Sequence, residues 1–271
     1  MNIISFMSAN FVARELDYHM TDGWQQGEQA TNRYFMPLAT FSERFEEVLR
    51  AVRSMGFSAL DIWTAHLNYA WATRQHIARA KELLARYSLT VPSLAGNFGS
   101  TRAEFDAACR LAVELGAPVL GGGTSLLDTD RGVVITLLQQ YGLRFGIENH
   151  PGVLTPPEIL AKIGADGHGV IAATVDTGWY GTANADAPAA ITQLASHIVH
   201  VHLKDVVSPG AHETCRFGQG CVGIEQCVRA LQAIGYEGAI SVEHEPASFD
   251  PTQDCMANVQ MLASWLESAE S

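Results

Sequence analysis

The chain has 271 residues, 47% hydrophobic and 17% charged, enough apolar material to bury a substantial core in one or two domains. Seventeen basic residues against 29 acidic ones leave a formal charge of −12, a field that repels phosphate backbones and anionic membranes and so disfavours nucleic-acid and membrane partners. No apolar run reaches about 18 residues, and the N-terminal "MNIISFMSANF" lacks a basic start and a long apolar centre, which predicts a cytoplasmic location.

The first predicted strand is "IISFM". Residues 8–40 then run polar and aromatic, and read as a long loop at the C-terminal end of a strand, either covering a site or elaborating the surface. From there a unit recurs: an amphipathic helix, a glycine, then an apolar run. "FEEVLRAVRSMG" precedes "FSALDIW", "EFDAACRLAVELG" precedes "APVLGGG", "VVITLLQQYG" precedes "LRFGIE", and "CVRALQAIGYEG" precedes "AISVE". Glycine just past a helix supplies the left-handed residue that ends it, and an unbroken apolar run suits a strand covered on both faces. With "LTVPSLA", "VIAATVD" and "HIVHVHL" the count reaches eight strands, the rhythm of a single-domain (β/α)₈ barrel over 1–271. A doubly wound open sheet is the rival architecture.

Several features along this path carry no chemistry. "LGGGTS" lacks the lysine of a phosphate loop and the spacing of a dinucleotide fingerprint. The five cysteines (Cys109, Cys215, Cys221, Cys227 and Cys255) are odd in number and form no Cys-x-x-Cys pair, which fits reduced thiols.

Barrel enzymes carry their reacting groups at the C-terminal ends of strands. Here the fifth strand ends in Glu148 and His150, the sixth in Asp176, the seventh in His200, His202 and Lys204, and the eighth in Glu243 and Glu245. Strand alternation puts Glu148 with His150, Thr174 with Asp176, and Ser241 with Glu243 and Glu245 on the inner face, while Ile147, Val175, Ile240 and Val242 turn toward the helices. Three acids converging on one mouth repel unless a cation neutralises them, so a divalent metal is expected. Three carboxylates and one imidazole suit Mn²⁺, Mg²⁺ or Co²⁺, with Zn²⁺ also compatible.

The ordered set "IENH", "VDTGW", "VHLKD", "FGQGCVG" and "GAISVEHE" resembles the xylose isomerase-like barrel superfamily of sugar isomerases and epimerases, firmly over about 143–245. The resemblance implies that Glu148, Asp176, His202 and Glu243 ligate the metal, that Glu148 and Glu243 also transfer protons, and that His200 packs or supports from below. Many relatives carry a histidine where this chain has Trp179, a departure that removes one polar substrate or metal contact. His150 and Arg216 are candidates for binding sugar hydroxyls or a developing oxyanion, or else for a loop hydrogen bond and salt bridge. Lys204 is a candidate for orienting Asp205 or a ligand carboxylate, or else for a structural role. Trp63 and His66 form an aromatic wall and a polar contact, or pack in the core.

The expected activity is a metal-dependent isomerase or epimerase of a small carbohydrate, working through an enediolate. A lyase that dehydrates a keto-sugar or keto-inositol is the closest rival. An apurinic-site endonuclease of the same superfamily needs extra histidines and a basic face, and a non-catalytic sugar-binding barrel lies outside enzymology. A homo-oligomer is compatible with the sequence.

Overall fold

The computed structural model describes residues 2–152, 154–167 and 169–268. The apolar runs form strands β1 (Ile4–Met7), β2 (Ala59–Trp63), β3 (Ser93–Asn97), β4 (Val119–Gly123), β5 (Arg144–Glu148), β6 (Ile171–Asp176) and β7 (Ile198–Leu203), then β8 (Asp205–Val206), β9 (Thr214–Cys215) and β10 (Ile240–Val242). Eight of them close into a parallel barrel in the order β1-β10-β7-β6-β5-β4-β3-β2, and β8 pairs with β9 as a separate antiparallel ribbon. This is the predicted (β/α)₈ barrel, a single domain.

The helices are α1 (Trp24–Phe35), α2 (Leu38–Ser54), α3 (Arg74–Arg86), α4 (Arg102–Leu115), α5 (Leu126–Thr129), α6 (Arg131–Tyr141), α7 (Pro156–Ile163), α8 (Thr177–Thr182), α9 (Ala187–Leu194), α10 (Ile224–Ala233) and α11 (Thr252–Glu267). The predicted helix–glycine–strand junctions are present at α2, α4, α6 and α10. Gly142, for example, ends α6 in the left-handed region at φ 66° and turns the chain into β5. Capping boxes at Thr73, Thr101 and Thr155 start α3, α4 and α7 by satisfying their free N–H groups.

The segment 8–40 is not a loop. It holds short 3₁₀ turns at Ser8–Phe11 and Arg14–Leu16, all of α1, and the start of α2. Its polarity hides a narrow buried stripe, Gly27, Ala30, Thr31 and Phe35, at helical spacing. Glycine and many polar residues lower the helical signal of "WQQGEQATNRYF", and packing of that stripe against the barrel overrides it.

The main core lies between barrel and helices. Leu60, Ile62, Leu94, Leu120, Phe145, Ile147, Val175, Val201, Leu203, Ile240 and Val242 all belong to it, so the outward face of every second strand residue is apolar as expected. Among the described residues, no helix is long and apolar enough to cross a membrane.

Inside, strands approach closely where glycines face each other. A Cβ on Gly122, whose φ is +144°, would lie 2.0 Å from the Gly96 carbonyl oxygen of β3. Gly122→Ala is therefore expected to destabilise the barrel by about 2–4 kcal/mol, from strain and overpacking together. Urea denaturation measures it, with Gly123→Ala as the control, since nothing lies within 4 Å of a Cβ there. Equal stabilities of the two variants would contradict the close approach.

Candidate active site

Strand register sets the floor of the site. Asp176 of β6 pairs with His202 of β7, and His202 with Ser241 of β10. Glu243 follows two residues beyond Ser241, and Glu148 closes β5 opposite Thr174. One donor atom from each of Glu148, Asp176, His202 and Glu243 lies within 4.8 Å of the other three.

Each donor is oriented from behind. Asn149 donates to the Asp176 carbonyl and accepts from its N–H, both at 2.8 Å, clamping β5 to β6. Asp176 caps α8: its Oδ1 accepts from the Gly178 N–H at 2.7 Å and the Trp179 N–H at 3.4 Å. That capping turns Oδ2 into the mouth. His202 Nδ1 faces Glu148 Oε1 at 2.7 Å and Glu243 Oε2 at 3.2 Å, while its Nε2 turns the other way, to Asp61.

Lys204 supplies the mouth with a buried ammonium. Its Nζ lies 2.7 Å from Glu243 Oε1, 3.0 Å from Asp176 Oδ2 and 3.0 Å from Glu245 Oε2. Burial opposes its charge, but these three acids outweigh it and raise the ammonium pKa well above the usual lysine value. Three carboxylates share this one lysine, and Glu148 pairs with His202 and His150 instead. Burial pushes Glu243 up to about 8 against the pull of Lys204. Glu148 is also buried, yet His202 and His150 hold it well below the usual glutamate range.

The donor set fits a divalent cation. Asp176 Oδ2 and Glu243 Oε2 are buried oxygens with no hydrogen-bond partner, each in an ionic contact only, to Lys204 at 3.0 Å and to His202 at 3.2 Å. Such oxygens, with a glutamate and one imidazole nitrogen beside them, make a hard, mostly oxygen site.

Above the donors lies a cavity of about 320 Å³. Met7, Trp24, Trp63 and Ala95 bound it on the side of β1 to β3, and the charged groups on the side of β5 to β10. His150 reaches Glu148 Oε2 at 3.1 Å and packs 5.0 Å from Trp179, which in turn stacks on His212 at 3.6 Å. His150, Trp179 and Lys204 thus line the cavity together.

His66 and Arg216 do not. His66 is buried behind Trp63, between that ring and Phe35, and burial pushes its pKa down to about 3. Arg216 pairs with Asp254 of α11, and His244 reaches the same carboxylate from above β10, so the arginine anchors the loop after β9. Sequence reasoning passed over Asp61, Asn149, His212 and Trp24. Asp61 left one signal, a lone acid inside the apolar run "ALDIW".

Residues 49–265 match the family model described as the xylose isomerase-like TIM barrel. The chain belongs to that family. Its membership extends the resemblance well into the first half of the barrel. The uncharacterized protein MJ1311 of Methanocaldococcus jannaschii is 27% identical over 141 residues, 49% of this chain and 46% of that relative, so the match spans less than half of it.

Three solved barrels share the architecture. A xylose isomerase-like TIM barrel protein from Mycobacterium smegmatis, in complex with magnesium, gives a TM-score of 0.75 at 18% identity over 100% of this chain and 98% of that one. An L-ribulose 3-epimerase gives 0.73 at 17% over 100% and 96%. The probable 3-DHS dehydratase AsbF from Bacillus anthracis gives 0.69 at 14% over 97% and 99%. At these identities the likeness is one of fold.

Proposed function

We propose that this xylose isomerase-like barrel is a divalent-metal-dependent isomerase or epimerase of a small keto- or aldo-sugar. The observation that carries the reading is the convergence of Glu148, Asp176, His202 and Glu243 at the C-terminal mouth. Those four residues would hold the ion, with Mn²⁺, Mg²⁺ or Co²⁺ best suited to the donors. When bound, the ion would polarise the substrate carbonyl and stabilise negative charge as it develops.

The protein's own groups perform the proton chemistry. Glu148 takes the proton from the carbon beside the carbonyl, and the released electron pair moves toward the carbonyl oxygen to give an enediolate. Glu243 returns a proton to the opposite face, giving an epimer, or to the former carbonyl carbon while the neighbouring hydroxyl proton passes to the enediolate oxygen, giving an isomer. His150 and Lys204 line the same cavity and hydrogen-bond substrate oxygens, while Trp179 walls one side. Among the fold's known occupants, an epimerase of L-ribulose and a magnesium-bound barrel agree with this reading.

The dehydratase neighbour keeps one alternative in view, since loss of a β-hydroxyl from the same enediolate gives an unsaturated product. An apurinic-site endonuclease fits less well. Trp63, Ala95 and Gly96 bound the cavity at β2 and β3 and offer no additional nitrogen ligands.

Ketose and aldose panels run in D₂O test the reading. Metal-depleted protein is expected to show no turnover, Mn²⁺, Mg²⁺ or Co²⁺ to restore it, and solvent deuterium to enter the α-carbon without loss of water. Undiminished activity after exhaustive chelation would overturn the metal-dependent reading, and an unsaturated product would replace the isomerase by a lyase.

A further inference from the structure

Below the mouth, Asp61 lies midway along β2, fully buried. Its Oδ2 is 2.6 Å from His200 Nε2, 3.1 Å from His202 Nε2 and 2.9 Å from Ser241 Oγ. These partners belong to β10 and β7, two and three staves from β2 around the ring, so the carboxylate ties non-adjacent strands together through the interior.

With three potential donors around one oxygen, Asp61 Oδ2 has no place for a proton of its own, and an ionised carboxylate only accepts. His202 must then carry a proton on Nε2. Nδ1 faces the carboxylates of Glu148 and Glu243 at 2.7 and 3.2 Å and donates there when no ion is bound; a cation would take the place of that proton, leaving the lone pair on Nδ1 and the remaining proton on Nε2. The opposite tautomer would set a lone pair against the Asp61 carboxylate and aim an N–H where a cation would bind. Each error is costly in a buried site.

We propose that Asp61 is the positioning residue of this site: it fixes the tautomer and ring orientation of His202 so that Nδ1 is the cation-binding nitrogen. The inference rests on the metal-dependent reading above. It also assigns a purpose to His200, which shares the same oxygen and restrains Asp61 from the adjacent pleat. Asp61, His200 and His202 are close enough to be a cation group themselves. Their direct hydrogen-bond distances leave them instead as a linked network, since an ion there would have to occupy the second nitrogen of His202.

The test uses the full chain. Calorimetric titration of wild-type protein with Mn²⁺ is expected to show one ion per chain. Asp61→Asn is expected to bind it about 10- to 100-fold more weakly, the usual cost of losing such a partner. Ser241→Ala removes a different donor from the same carboxylate and is expected to stay close to wild type. In long-range ¹H–¹⁵N spectra of Zn²⁺-loaded wild type, His202 should show a protonated Nε2 and a metal-bound Nδ1, a readout that decides the matter even if Asp61→Asn fails to fold. A metal on Nε2, two ions per chain, or an Asp61→Asn variant with lowered stability but unchanged affinity and tautomer would each overturn the role of Asp61. A wild-type protein that binds no divalent ion would overturn the metal reading beneath it.

Discussion

Glu148→Gln is expected to lower turnover by about 10²- to 10⁴-fold, the contribution of a positioned general base. Glutamine keeps the length and shape of the side chain and an oxygen that can face His202, but it cannot take a proton from carbon. Glu148 is half of a contact pair on each side, with Nδ1 of His202 at 2.7 Å and Nε2 of His150 at 3.1 Å, so its carboxylate is held in place before substrate arrives. Steady-state kinetics on the substrate found in the panel, with α-proton exchange in D₂O, separates proton transfer from binding. Sugar affinity that persists while exchange disappears rules out a purely sugar-binding barrel. A variant retaining more than a tenth of wild-type turnover would remove Glu148 from the chemistry.

Lys204→Met is expected to destabilise the metal-free protein by about 3–5 kcal/mol, the range for removing one partner from buried ion pairs. The lysine is 3% exposed and lies within 3.0 Å of three acids, so its loss leaves Asp176, Glu243 and Glu245 without their shared cation. Burial already raises Glu243 to about 8, and without the pull of Lys204 it holds its proton more tightly still in the folded variant. Stability then falls as pH rises, and the deficit is greater at pH 8 than at pH 5. A divalent ion substitutes for the missing charge, so saturating Mn²⁺ is expected to shrink the difference. Urea denaturation with and without the ion measures both effects, and a deficit independent of pH and metal would mean that Lys204 contributes packing alone.

Much of this site was legible in the chain because strand alternation is a local property. "FGIENH", "ATVDTGW", "VHVHLKD" and "ISVEHE" place their polar residues at every second position, and the structure finds them on the inner face of adjacent staves. What failed to read depended on distance. Asp61 meets partners 139 and 180 residues away, so nothing in "ALDIW" announces them. His66 follows strand two closely enough to suggest a cavity contact, but a turn bonding its N–H to the Trp63 carbonyl folds the ring back against Phe35. The helix Trp24–Phe35 is polar enough to pass for loop, and its buried stripe is recognisable only against the barrel wall.

The sequence by itself determined the alternation of helix and strand, the apolar outer face of each stave, and the row of acids and histidines at the later strand ends. All of these follow from periods of two and 3.6 residues, which act within one element. Tertiary structure alone decided which of those groups meet. Closure of the barrel staggers each strand against the next, bringing Glu148 level with Thr174 along the ladder while its carboxylate reaches His202 two strands away. Stagger is a property of the closed ring, and no single strand encodes it.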